Sequence, residues 1–144
     1  MAFAMQKNIY AALLLLVAGG AIYATCRQDV IFLAPFRNSK WLELTHIDIQ
    51  YSGNVFVYFL LFCLSDTLWY FALLLLQVQF YSGCLASKIT FYFAVALPFV
   101  LELLQYLDVI YGTFDFIDLI FYLLTLLIFL LLCQKKFFYK SLQS

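Results

Sequence analysis

The sequence predicts an all-α membrane protein: four transmembrane helices joined by turns, with a longer first loop lying on the membrane surface. Three observations carry this. Of 144 residues, 67% are hydrophobic and 11% are charged, a composition outside the soluble range. The apolar residues form runs long enough to span, since a helix crosses about 30 Å of hydrocarbon with about 20 residues. Five of the six lysines gather at one set of run ends. The length allows one domain, residues 1–144, and the formal net charge is zero. No basic patch with interleaved aromatics is present, so nucleic acid is not an expected partner. The lipid bilayer is.

The first span covers about 8–26 and contains no charge. A cleaved signal peptide is the rival reading, because Lys7 and then Ala11 to Val17 look like an n-region and an h-region. Tyr23-Ala24-Thr25-Cys26 faintly resembles a lipoprotein site, with Thr25 where a smaller residue is usual. Gly20 and Ala24 form a small-xxx-small pair, a face expected to pack closely on another helix.

Arg27 to Gly53 lacks a spanning signal. Its apolar residues alternate loosely with polar ones, and Trp41 suits the headgroup level. Glu43, His46 and Asp48 are close in sequence, but a metal site needs three or four convergent ligands and the chain has a single His. A solvated loop face is expected there. No metal and no other cofactor are expected.

The second span covers about 61–80 and ends at the turn Tyr81-Ser82-Gly83. It is either part of one long tilted helix from Asn54, or a separate span capped by Ser65 or Asp66. Tyr70 and Gln77 share a face with Asp66. The third span covers about 88–107. Pro98 inside it removes the amide that would bond the Ala94 carbonyl, so a kink is expected. A tight turn with Gly112 leads to the fourth span, about 115–133, which Gln134-Lys135-Lys136 ends. The four cysteines, at 26, 63, 84 and 133, lack metal-like spacing and lie in or beside apolar runs. They read as small packing residues.

Four spans put both termini on one side, with Lys7, Lys88, Lys135, Lys136 and Lys140. Arg27, Arg37 and Lys40 fall on the other. The positive-inside rule then predicts cytoplasmic termini in the cell membrane. In that orientation Asp66, Glu102, Asp115 and Asp118 converge on the outer leaflet, where the three loop cations can counter them.

The stretch Pro98 to Tyr122 holds four of the eight acidic residues between apolar flanks, and carboxylates in such company call for a reason. Asp115 can cap the fourth helix, with Asp118 three residues on as in a capping box. Glu102 lies near a helix C-terminus, where the macrodipole disfavours an anion. It needs a cation, water, several donors or a proton. A structural hydrogen bond to Asp118 or Tyr122 is one account, and a functional site is the other. Gln105 is one turn on, and Asp115, Asp118, Tyr122 and Thr125 make one polar stripe. The candidate pocket is therefore Asp66, Glu102, Gln105, Asp115, Asp118 and Tyr122.

These residues resemble the VanZ-like family of small polytopic bacterial membrane proteins. Its pattern is a Glu and a Gln three apart, a short turn, and a Phe-Asp-x-x-Asp element opening the last helix. Here that is Glu102-x-x-Gln105, Gly112-Thr113-Phe114-Asp115 and Asp118, with Ser65-Asp66 at an earlier helix start. Many members carry an Arg just before the Thr/Ser-Phe-Asp element, where this chain has Gly112; Tyr122 and Thr125 replace a common Asn and Gly. The resemblance implies a multi-pass protein of the bacterial cell envelope. Together with the acidic pocket, it leads to an expected function: binding an envelope lipid headgroup or precursor, or modulating a membrane-protein partner. The alternative is an intramembrane acid/base enzyme acting on a lipid-linked substrate, with paired carboxylates of separated pKa. No nucleophile–base pair or metal cluster is legible, which ranks it second. A proton or ion path ranks third, because the carboxylates cluster at one side instead of stepping across.

Overall fold

The structure is a computed structural model that describes residues 2–26, 57, 62–110 and 114–141, with side chains for 8–26, 57, 62–110 and 114–132. The surface-lying first loop, with Trp41, Glu43, His46 and Asp48, lies outside the described residues, as do Gly112 and Thr113.

Among the described residues the chain is all-helical, with four helices and no strand: α1 (Ala2–Cys26), α2 (Leu64–Phe80), α3 (Leu85–Tyr106) and α4 (Phe116–Ser141). Two stretches, Asn8–Cys26 and Leu85–Tyr106, are long and apolar enough to cross a membrane; Phe116–Leu132 is apolar but shorter. Leucine, tyrosine and phenylalanine lie exposed along the outer faces of α1, α3 and α4, an extent of apolar surface unusual for a soluble monomer.

Three boundaries differ from the sequence reading. Helix α2 opens after Cys63, so Ser65 and Asp66 sit inside its first turn and do not cap it. Asp66 is well placed there, because a helix N-terminus favours an anion. Helix α3 begins three residues before Lys88. The Cys84 sulfur accepts the Ser87 amide at 3.5 Å and the Ser87 hydroxyl donates to the Cys84 carbonyl at 2.9 Å, closing the first turn earlier. Helix α4 continues past Lys135 and Lys136 to Ser141. Gln and Lys are good helix formers, so the apolar run ends where the helix does not.

Helices α1 and α2 run antiparallel. The Trp69 indole N–H donates to the Leu16 carbonyl at 3.1 Å, and its ring lies 5.1 Å from that of Tyr23. Gly19 makes this possible: a Cβ there would come within 2.4 Å of the indole. Gly20 faces open space, so the close-packing glycine is Gly19 and not Gly20. Ala12, Gly19 and Tyr23 are buried along this seam.

The centre of the bundle is aromatic. Tyr70, Leu74, Tyr81, Phe91, Tyr122 and Phe129 form one buried cluster. Phe129 meets Phe71 edge-on at 6.2 Å and Phe91 at 6.5 Å. Such pairs contribute about 0.5–1.5 kcal/mol beyond area burial. Pro98 is buried within α3. The Tyr70 hydroxyl donates to the Val95 carbonyl at 3.1 Å, one residue past the carbonyl that the proline frees.

Helix α3 ends on a residue other than glycine. Asp108 adopts φ 53°, its amide bonds Gln105 O at 3.0 Å, and the Val109 amide bonds Leu104 O at 2.9 Å. This is a Schellman closure with Asp at the left-handed position.

Candidate functional site

Reversing direction at each connection brings the C-terminal ends of α1 and α3 beside the N-terminal ends of α2 and α4. Polar side chains from all four helices meet there. The Tyr23 hydroxyl of α1 donates to the Asp66 carboxylate of α2. Cys63, just before α2, is buried within electrostatic reach of Asp118 in the first turn of α4. Glu102 of α3 accepts the Asp115 amide at the start of α4, at 3.2 Å. Asp66, Asp115 and Asp118 are all within electrostatic reach of Glu102. Asp66, Asp118, Glu102 and Tyr23 likewise act on Tyr122.

Glu102 is 6% exposed despite its apolar neighbours. Its partner is neither Asp118 nor Tyr122 but a backbone N–H. Asp115 is the N-cap of α4, since its Oδ1 accepts the Ile117 amide at 2.8 Å. In a capping box, a residue three positions on would accept the cap's own amide. Here Glu102 does so from another helix. A carboxylate poorly placed for its own helix C-terminus is thus well placed for the positive N-terminus of the next.

Of the sequence candidates, Asp66, Glu102, Asp115, Asp118 and Tyr122 gather in this layer. Asp66, Asp115 and Asp118 are half-buried, and Glu102 and Tyr122 are buried. Gln105, the remaining candidate, is half-buried, and its backbone carbonyl accepts the Leu107 and Asp108 amides. The stripe on α4 continues inward through Tyr122, Thr125 and Phe129, each under a tenth exposed.

The sequence reading leaves Tyr23 and Cys63 out of the polar layer and gives Ser65 only a capping and motif role. Tyr23 was hidden in an apolar run, and its position four residues after Gly19 was the available signal. The sequence reads Cys63 as a packing residue. It is buried, as packing requires, and lies within electrostatic reach of Asp118, Asp115 and Asp66. The Ser65 hydroxyl is fully buried and has no hydrogen-bond partner among the described residues. Among those residues, no group of three or more His, Cys, Asp and Glu has metal-binding geometry.

At the opposite end, Cys84 does not pack. It is exposed, 3.1 Å from the Ser82 hydroxyl. Hydrogen bonds from Ser82 and then Ser87 lower its thiol to about 7. Thiols at helix N-termini commonly shift this way.

Chemically, the polar layer offers carboxylates and phenols to a ligand at one end of an apolar bundle. No protein-family model, no curated protein and no solved structure matches the chain.

Proposed function

We propose that the chain is a four-span protein of VanZ-like type in the bacterial cell membrane. Both termini are cytoplasmic, and the polar layer at the outer leaflet binds the headgroup of an envelope lipid or precursor. One observation carries the reading: carboxylates from α2, α3 and α4 converge with Tyr23 of α1 at a single level. Interior anions in an apolar chain are costly, and their usual use is a binding or transport path. Other support is the Glu102-x-x-Gln105 and Phe114-Asp115-x-x-Asp118 pattern, together with the two helices long and apolar enough to cross a membrane. Modulation of a membrane-protein partner through the same layer belongs to this reading.

The test is lipid analysis of protein purified in mild detergent. Wild type is expected to retain one lipid class in excess over its membrane abundance, and Glu102→Gln to retain less. A lipid profile equal to the bulk membrane in both overturns the reading. Turnover of a supplied lipid-linked substrate, lost in Glu102→Gln, would favour the acid/base enzyme instead.

A further inference from the structure

At the end away from the polar layer, α1 and α3 begin and α2 and α4 finish. Five lysines collect there: Lys7 near the start of α1, Lys88 in the first turn of α3, and Lys135, Lys136 and Lys140 late in α4. No Asp or Glu occurs in residues 1–28, 67–101 or 119–144, so no acidic residue accompanies them. The charged first loop leaves α1 and returns to α2 at the opposite end. The short connection Tyr81-Ser82-Gly83-Cys84 carries no ionic side chain of either usual sign.

Ring contacts fix how α3 and α4 face each other at this end. The Phe91 and Phe129 rings lie 6.5 Å apart, and Phe91 meets Tyr81 edge-on at 6.1 Å. Lys88 precedes Phe91 by three residues, and Lys136 follows Phe129 by seven. At about 100° per residue, Lys88 falls within about 60° of Phe91 and Lys136 within about 20° of Phe129. Both positions therefore lie on the facing sides of α3 and α4, with Lys140 one turn beyond Lys136. They stand outward of the aromatic pair by about 5 Å and about 10 Å. Two lysines at facing positions carry like charge, and no acidic residue at this end relieves their repulsion. Helix α3 adds the positive end of its dipole, with no acid in its first turn. Beside Lys88, Leu85, Ile89 and Tyr92 recur at i, i+4 and i+7 and are all exposed. They form an apolar stripe leading from the lysine toward the middle of the bundle.

We propose that the phosphate of an anionic phospholipid sits between Lys88 on α3 and Lys136 and Lys140 on α4, with an acyl chain along Leu85, Ile89 and Tyr92. The phosphate turns a repulsion between two helices into attraction to both. A zwitterionic lipid also carries a phosphate, but its own cation returns positive charge to a site that already has three lysines, so the net anionic lipid is selected. This site lies at the opposite end from the polar layer and does not depend on the function proposed above.

The experiment takes the full chain in detergent micelles, adds equal amounts of phosphatidylglycerol and phosphatidylcholine with matched acyl chains, and counts bound lipids by native mass spectrometry. Wild type is expected to prefer phosphatidylglycerol by about fivefold or more, the factor that one lysine near an anionic surface supplies. Added salt should weaken the preference. Lys88→Gln combined with Lys136→Gln should bring the ratio near one, whereas Lys88→Arg combined with Lys136→Arg should keep it. Lys7→Gln, which removes a charge from α1, should leave most of the preference. Gln and Arg hold a helix about as well as Lys, and melting in detergent checks that every variant is folded. Equal binding of the two lipids by wild type overturns the inference. So does a preference undiminished in the double Gln variant, lost in the double Arg variant, or lost as fully in Lys7→Gln. Glu102→Gln separates this site from the polar layer, because it should keep the preference measured here. A preference lost in Glu102→Gln and kept in the double Gln variant puts the anionic lipid at the polar layer and overturns this site alone.

Discussion

Two substitutions at Glu102 ask different things of the Asp115 amide. Glu102→Gln keeps an acceptor oxygen, so the bond across α3 and α4 can persist while ion pairing and proton exchange are lost. Glu102→Leu leaves that amide without its acceptor, at a cost of about 1–3 kcal/mol. Melting in detergent should therefore fall for Leu and hold for Gln, whereas lipid retention should fall for both. Equal melting of Glu102→Leu and wild type would show that the amide finds another partner. Desolvation alone would make Leu the more stable variant; the cross-helix cap reverses that order. Ser65 makes the opposite case. Its hydroxyl is buried without a partner among the described residues, so Ser65→Ala should raise the melting temperature slightly. A loss of lipid retention in Ser65→Ala would instead give that hydroxyl to the ligand.

Helix pairs are set by single contacts that their hydropathy does not reveal. The seam between α1 and α2 depends on the Gly19 notch for the Trp69 indole. Gly19→Ala should displace the ring, break the bond to Leu16 and cost about 1–3 kcal/mol. Gly20→Ala meets nothing within 4 Å and should be neutral, or stabilising by up to about 1 kcal/mol through helix propensity. Thermal melts of the two alanine variants check the contrast, and equal shifts would contradict this seam. The end of α3 supplies a second contrast. Asp108 holds a left-handed backbone, which Gly adopts freely and a β-branched residue does not. Asp108→Val should be less stable than Asp108→Gly by about 1–2 kcal/mol. A matching pair of melting temperatures would mean the Schellman turn has been replaced by another closure.

For the whole molecule, the antiparallel order of the helices puts the polar layer at one end and Cys84 at the other. Cys84 gives a handle on orientation. With its thiol lowered to about 7, the thiolate fraction rises through that pH, so maleimide labelling should climb from pH 6 and level off about one unit above neutrality. In sealed cells an impermeant maleimide should miss Cys84 and should reach it in inverted vesicles. Reporter fusions after Asp48 and after Cys84 should read opposite sides, with Asp48 outside. Labelling of Cys84 in sealed cells would invert the topology and move the polar layer to the inner leaflet. Cys63, buried against Asp118, should stay unlabelled in either preparation.

The sequence alone determined the helical class and the positions of the apolar runs, and it led to the expectation that Asp66, Glu102, Asp115 and Asp118 share one end. These follow from hydropathy, run length and alternation of direction, all of which are local or additive along the chain. The cap role of Asp115 was equally legible, because an N-cap needs only its own next few amides. Tertiary structure decided which groups touch. Helix α1 is apolar almost all round, so nothing in its periodicity says whether Gly19 or Gly20 faces α2, or that Tyr23 reaches Asp66. The cross-helix bond from Asp115 to Glu102 and the nearness of Cys63 to Asp118 depend on the rotation of each helix against its neighbour. That rotation comes from side-chain shape at the seams, where one methyl at Gly19 is decisive. A repeat in the sequence specifies which residues share a face, and only packing selects the face opposite.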